Sequence, residues 1–66
     1  MHHLSTRELL YLEDASKMFE SIAKMSDFAA QNAVDPQLKS YMQSLAQEHR
    51  QWIQATGSIV NKNKLQ

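Results

Sequence analysis

Three side chains in this sequence have the chemistry to bind a metal ion: the carboxylates of Glu8 and Glu48 and the imidazole of His49. Helical bundles hold metal ions with inward carboxylates and with Glu-x-x-His motifs, whose two ligands share one helix face. Glu48 is followed three residues later by Gln51, so this motif is missing. A lone histidine on an apolar helix face is more often a hydrogen-bonded core or interface residue than a ligand. The sequence therefore predicts no metal site and no cofactor, and leaves Glu8, Glu48 and His49 as the metal-binding candidates.

The residue types and motifs of nucleophilic catalysis are also missing. The chain has no cysteine, which excludes zinc–thiolate sites and disulfide bonds as well as thiol chemistry. It contains no Gly-x-Ser-x-Gly motif, and its single glycine cannot form a glycine-rich phosphate loop. These absences predict that the protein is not an enzyme.

Charge and hydropathy narrow the range of partners. Seven Lys and Arg residues balance seven Asp and Glu residues, so the chain has no net attraction for nucleic acid or for an anionic membrane. No apolar run approaches the roughly 20 residues of a membrane-spanning helix. The first residues lack the pattern of a signal peptide. We therefore expect a cytoplasmic protein with no membrane partner, and nucleic acid is disfavoured as a partner.

A first helix is well marked in the sequence. Ser5 and Glu8 have the spacing of a capping box, in which each side chain accepts a hydrogen bond from the other residue's backbone amide. The stretch that follows has no glycine or proline and is rich in Ala, Leu, Met, Glu and Lys, which favour helix. We predict helix 1 over about residues 5–31, ended by Asn32 in the left-handed conformation.

A second helix start comes a few residues later. Asp35 before Pro36 matches an N-cap residue followed by proline at the first helical position. Gly57 is the weak point of this helix, because glycine in a helix interior costs about 1 kcal/mol relative to alanine. We predict helix 2 over about residues 36–61 and a loose tail over residues 62–66, all within a single domain that spans residues 1–66.

Both predicted helices carry an apolar stripe wider than the seam of a two-stranded coiled coil. An isolated hairpin gives each helix one neighbour and leaves large apolar side chains in water, whereas a four-helix bundle gives each helix two neighbours. The predicted fold is therefore all-α: an antiparallel two-helix hairpin that pairs with a second copy as a homodimeric four-helix bundle. The predicted interface contains Tyr11, Ala15, Met18, Phe19, Ile22, Met25, Leu38, Met42, Leu45, His49, Trp52, Ile53 and Ile59.

Three segments carry a resemblance to a known family. Residues 4–14 read Leu-x-x-Arg-Glu-Leu-x-Tyr-Leu-Glu-Asp, residues 35–39 read Asp-x-x-Leu-Lys, and residues 46–51 read Ala-x-x-His-x-Gln. Together they resemble the spore coat protein F-like family, which consists of small ferritin-like proteins of spore-forming Firmicutes. The resemblance implies a ferritin-like half-bundle that pairs, an association with sporulation, and other spore coat proteins as further partners.

The chain departs from the family pattern at the positions of metal chemistry. Many members have His-Glu where this chain has Lys17 and Met18, and a further histidine where this chain has Trp52. Of the family's candidate ligands only His49 carries over. The resemblance therefore implies the shape of a ferritin-like protein rather than its iron chemistry, and favours a non-catalytic structural protein of the spore coat.

Two other functions remain as alternatives at this point. A metal-binding bundle would need His49 to meet Glu8 or Glu48 across the bundle. A small dimeric RNA-binding regulator would need a basic and amide-rich outer face. Helix 2 offers such a face, although a solvated polar surface is the better explanation of it; the face consists of Lys39, Gln43, Gln47, Arg50 and Gln54.

Overall fold

The computed structural model describes residues 3–64, which form two long α-helices joined by a short turn. Helix α1 is Thr6–Asn32 and helix α2 is Pro36–Lys64. The two helices pack against each other as a hairpin, with overall dimensions of 47 × 16 × 13 Å. The predicted all-helical hairpin is thereby confirmed.

The start of α1 is fixed by the predicted capping box. The Ser5 hydroxyl accepts a hydrogen bond from the Glu8 amide at 3.1 Å, and a Glu8 carboxylate oxygen accepts one from the Ser5 amide at 2.9 Å. The Ser5 carbonyl accepts the first helical bond, from the Leu9 amide at 3.0 Å. These bonds satisfy amides that the first helical turn would otherwise leave unpaired.

The end of α1 differs from the prediction. No residue in the described part of the chain has a positive φ, so the expected left-handed conformation of Asn32 is wrong. Asn32 stays helical and its side-chain amide donates to the Phe28 carbonyl at 2.8 Å. The next residue, Ala33, is extended, and its amide donates to the Ala29 carbonyl at 2.8 Å. The side chain of Asn32 thus satisfies a carbonyl at the helix end without a change of backbone conformation.

The start of α2 follows the predicted pattern. A carboxylate oxygen of Asp35 accepts a hydrogen bond from the Leu38 amide at 2.8 Å, and its carbonyl accepts one from the Lys39 amide at 2.9 Å. Pro36 is the first helical residue, where its missing N–H removes no intrahelical bond. The connection from Asn32 to Pro36 is therefore only three residues long, which holds the two helices side by side.

Helix α2 continues beyond its predicted end. Residues 62–64 belong to the helix rather than to a loose tail, and residues 65–66 of that predicted tail lie outside the described residues. The cause is Asn63, whose side-chain oxygen accepts from the Leu4 amide at 3.0 Å while its side-chain amide donates to the Ile59 carbonyl at 2.9 Å. The helix also runs through Gly57 without interruption. One side chain thus ties the end of α2 to the residues that precede α1.

The contact between the helices is lined by small side chains. On α1 the buried residues are Ala23, Ser26 and Ala30, and on α2 they are Ala46, His49, Thr56 and Val60. Ala46 is 1% exposed, yet none of the described large side chains is fully buried. Small side chains let two helix backbones approach closely, so the larger apolar side chains lie at the edges of this contact rather than at its centre.

Removal of the α1 cap should weaken the hairpin measurably. Ser5→Ala deletes the hydroxyl that accepts from the Glu8 amide, and loss of such a cap costs about 1 kcal/mol. We expect chemical denaturation to show this decrease in the free energy of unfolding. Ser44→Ala is the matched control, since Ser44 is exposed in the interior of α2, and should leave stability unchanged or slightly raised. Equal losses in both variants would contradict the role of the cap.

Candidate interaction face

The three metal-binding candidates are not brought together in the hairpin. Glu8 lies in the first turn of α1, whereas His49 lies level with Phe19, which is eleven residues further along α1. That interval corresponds to about 16 Å along a helix axis. Glu48 is exposed on α2. Within residues 3–64, no group of three or more His, Asp or Glu side chains is arranged to hold a metal ion.

Glu8 already has a structural role. Two hydrogen bonds lower the pKa of its carboxyl group from the ordinary value of 4.5, first the bond from the Ser5 backbone amide and then the interaction with the Ser5 side chain. The slight desolvation at this site opposes the shift. Hydrogen bonds to a carboxylate favour its charged form, so Glu8 is an ionised part of the helix cap.

His49 is a hydrogen-bonded residue of the helix contact, as the sequence indicates. It is 7% exposed, and its Nδ1 lies 2.8 Å from the Leu45 carbonyl oxygen one turn earlier. Because a carbonyl oxygen only accepts, Nδ1 carries a proton and donates it. The bond fixes the orientation of the ring on α2.

An aromatic cluster extends outward from this imidazole. The ring of Phe19 meets His49 with a centroid distance of 6.0 Å and Trp52 with one of 5.5 Å, both edge to face. The centroids of His49 and Trp52 are 4.5 Å apart. These distances lie in the favoured range for aromatic pairs. Trp52 remains 46% exposed, so the cluster is closed toward the hairpin and open on its outer side.

A row of large apolar side chains on α1 is exposed. It consists of Tyr11, Met18, Ile22 and Met25, of which Met18 is 65% exposed and Met25 is 67% exposed. Intervals of seven, four and three residues place these side chains on one side of a helix. These four side chains thus form a row that α2 does not cover; Leu10 and Phe28 of α1 are exposed as well and are not part of this row.

A similar row lies on α2, on the same side of the hairpin. Leu38, Tyr41 and Trp52 are exposed there, while Leu45 and Ile59 are half-buried. A shallow groove shows that the two rows share one side, because Ile59 of α2 and Tyr11 of α1 both line it; its other lining residues are Leu4, Glu8 and Leu12. We call this surface the apolar face; its members are Tyr11, Met18, Ile22, Met25, Leu38, Tyr41, Leu45, Trp52 and Ile59.

The predicted interface residues divide into two groups. The hairpin itself covers one group in part, namely Ala15, Phe19, Met42, Leu45, His49, Ile53 and Ile59. The other group stays exposed on the apolar face, namely Tyr11, Met18, Ile22, Met25, Leu38 and Trp52. Sequence reasoning missed Ala23, Ser26, Ala30 and Ala46 at the helix contact. Their spacing of three and four residues on α1 is the signal that could have identified them.

The opposite side of the hairpin is polar. Arg50 of α2 forms an ion pair with Asp27 of α1 across the helix contact. Four other polar residues of the outer face of α2 are exposed, namely Lys39, Gln43, Gln47 and Gln54. The pairing with Asp27 offsets the charge of Arg50, which weakens this side as a site for a polyanion such as RNA.

Neither helix of the described region is long and apolar enough to cross a membrane. Comparison of the chain with known protein families, with characterised proteins and with solved structures found no match.

The cap at Glu8 should make stability sensitive to acid. Because the folded chain lowers the pKa of Glu8, its carboxylate stabilises the hairpin above about pH 4.5, and this contribution is lost as the pH falls through the lower folded pKa. Glu8→Gln keeps an acceptor at this position but does not titrate. We expect the difference in Tm between wild type and Glu8→Gln to be constant from neutral pH to about pH 5 and to change in favour of the variant below pH 4.5. A difference that is independent of pH would contradict the hydrogen-bonded carboxylate.

Proposed function

We propose that the protein is a non-catalytic structural protein that self-associates through the apolar face, so that two hairpins form a homodimeric four-helix bundle. The observation that carries this proposal is the exposure of large apolar side chains from both helices on one side of the hairpin. Contiguous apolar patches of this kind are uncommon on monomers and mark interaction surfaces. A second hairpin carries the same apolar surface, and a twofold interface would cover this surface on both copies.

The surface area of the hairpin supports a partner of this size. The chain exposes 5256 Å². A compact monomer of 7.6 kDa exposes about 4,300 Å² by the usual scaling of surface with mass. The excess of about 1,000 Å² is close to the roughly 800 Å² that each partner buries in an interface of standard size.

The distribution of charge supports a second copy as the partner. None of the nine side chains of the apolar face is ionisable at neutral pH, and the chain has no net charge. These nine side chains therefore add no electrostatic repulsion between two copies. The ion pair between Asp27 and Arg50 stays on the polar side, in contact with water.

A charge on the apolar face should dissociate the dimer. Met25→Glu places two carboxylates in the proposed interface, one from each copy, and an unpaired buried charge costs about 3 kcal/mol or more. We expect analytical ultracentrifugation to give about twice the 7.6 kDa chain mass for wild type, and a Kd at least about a hundredfold higher for Met25→Glu. Gln47→Glu adds the same charge at an exposed position outside the apolar face and should leave Kd unchanged.

The wild-type chain provides a second measurement that needs no variant. Trp52 is the only tryptophan, and it lies exposed on the apolar face. On dilution, its fluorescence emission should shift to the red over the same concentration range in which the mass falls. A monomeric mass at every accessible concentration, or equal Kd values for Met25→Glu and Gln47→Glu, would refute self-association through this face.

The resemblance to the spore coat protein F-like family supports a location of this structural protein in the spore coat, with other coat proteins as further partners. A fluorescent fusion expressed in a sporulating host should collect at the spore surface late in sporulation. The Met25→Glu fusion should lose this localisation while Gln47→Glu keeps it. A wild-type fusion that stays diffuse in the cytoplasm throughout sporulation would contradict the coat assignment and leave self-association intact.

A further inference from the structure

We propose that Met18 and Met25 form an oxidation site that controls self-association: conversion of their thioethers to sulfoxides prevents two hairpins from pairing. This inference rests on the proposed self-association through the apolar face, to which both residues belong. Met18 is 65% exposed and Met25 is 67% exposed. In a single hairpin both side chains are therefore accessible to an oxidant dissolved in water.

Methionine carries the sulfur chemistry of this chain. The sequence has four methionines and no cysteine, so a peroxide finds thioethers but no thiol to oxidise. The methionines of the two helices differ in their surroundings, because Met18 and Met25 are exposed on α1 whereas Met42 is half-buried on α2. Since the oxidant must reach the sulfur atom, Met18 and Met25 should react before Met42.

The reaction needs only a hydroperoxide as its co-reactant. The thioether sulfur attacks one oxygen of hydrogen peroxide, the O–O bond breaks, and that oxygen stays on sulfur as the sulfoxide. The sulfur is oxidised by two electrons, and the second oxygen leaves as water. No other side chain is required, so exposure decides which methionines of the hairpin react.

The spacing of the two residues places both sulfoxides within the apolar face. Met18 and Met25 are seven residues apart, about 10 Å along α1, and Ile22 lies between them in the same row. In the free hairpin, water donates hydrogen bonds to the sulfoxide oxygens. Pairing would remove this water, and the neighbouring Ile22 side chain has no donor to replace it. A polar group buried without a hydrogen-bond partner opposes association.

Oxidation and association therefore exclude each other. A second copy that covers the apolar face shields Met18 and Met25 from the oxidant, whereas sulfoxides formed in the separate hairpin keep the second copy away. The hairpin itself tolerates the change, because neither side chain is among the buried residues of the helix contact. Enzymatic reduction of the sulfoxides should restore pairing.

The rate of oxidation can be measured at each methionine. The four methionines lie in four different tryptic peptides, namely residues 1–7, 18–24, 25–39 and 40–50. In dilute wild-type protein, hydrogen peroxide should oxidise Met18 and Met25 faster than Met42. At a concentration where ultracentrifugation gives the dimeric mass, the rates at Met18 and Met25 should fall to the Met42 rate or below it.

The effect on association is measured on the oxidised protein. Treated wild type should have a Kd at least about tenfold higher than untreated wild type, as expected for a polar group buried without a partner. The double variant Met18→Leu, Met25→Leu keeps the volume and apolar character of both side chains, so it should pair like wild type and keep its Kd after treatment. Met42→Leu is the matched control and should respond to peroxide as wild type does.

The outcomes separate the oxidation site from the proposed function. Faster oxidation of Met18 and Met25, with a rise in Kd that the double leucine variant abolishes, supports the site. Oxidation at the Met42 rate in dilute protein, an unchanged Kd after oxidation, or a loss of helix content by circular dichroism overturns the site and leaves self-association standing. A dimeric mass without protection of Met18 and Met25, or a monomeric mass at every concentration, overturns both.

Discussion

The two helices pack closely because small side chains line their contact. This contact determines where the large apolar side chains of the hairpin can lie. Ala23, Ser26 and Ala30 of α1 lie against α2, where Ala46 is the most buried residue. A contact built from such residues brings the backbones together but buries little apolar area. Large apolar side chains are left outside the contact, and the intervals between Tyr11, Met18, Ile22 and Met25 place these four on one side of α1. The other side keeps the charged and amide groups, among them the Asp27–Arg50 pair.

The aromatic cluster connects the small-residue interior to the apolar face. His49 is buried and held by its own helix backbone, Phe19 is half-buried, and Trp52 is exposed. The buried ring of His49 and the half-buried ring of Phe19 both contact the exposed ring of Trp52 and hold it in place. A surface whose side chains are already held in place loses less conformational entropy when a partner covers it. The rings at the centre of the apolar face are therefore held in place by contacts within the hairpin itself.

Much of this hairpin can be predicted from the sequence because its determinants are local. Ser5 with Glu8 and Asp35 with Leu38 bond over three residues, a spacing visible in the chain. The side of α1 that faces α2 could not be chosen in the same way. Large side chains dominate an apolar stripe, so the stripe does not single out Ala23, which is buried against α2 while its larger neighbour Ile22 is 40% exposed. Asn63 was missed because its partner, Leu4, is distant in sequence.

Gly57 is a position at which the stability of α2 is lower than the packing requires. A Cβ atom added there meets nothing within 4 Å, so packing does not require a glycine at this position. The helix therefore carries a residue that weakens it by about 1 kcal/mol relative to alanine, with no contact to compensate. Replacement of Gly57 by alanine should therefore stabilise the helix without a change in the packing around it. A partner that binds only the folded form would add to this stability, so any assembly of the chain would be thermodynamically linked to its folding.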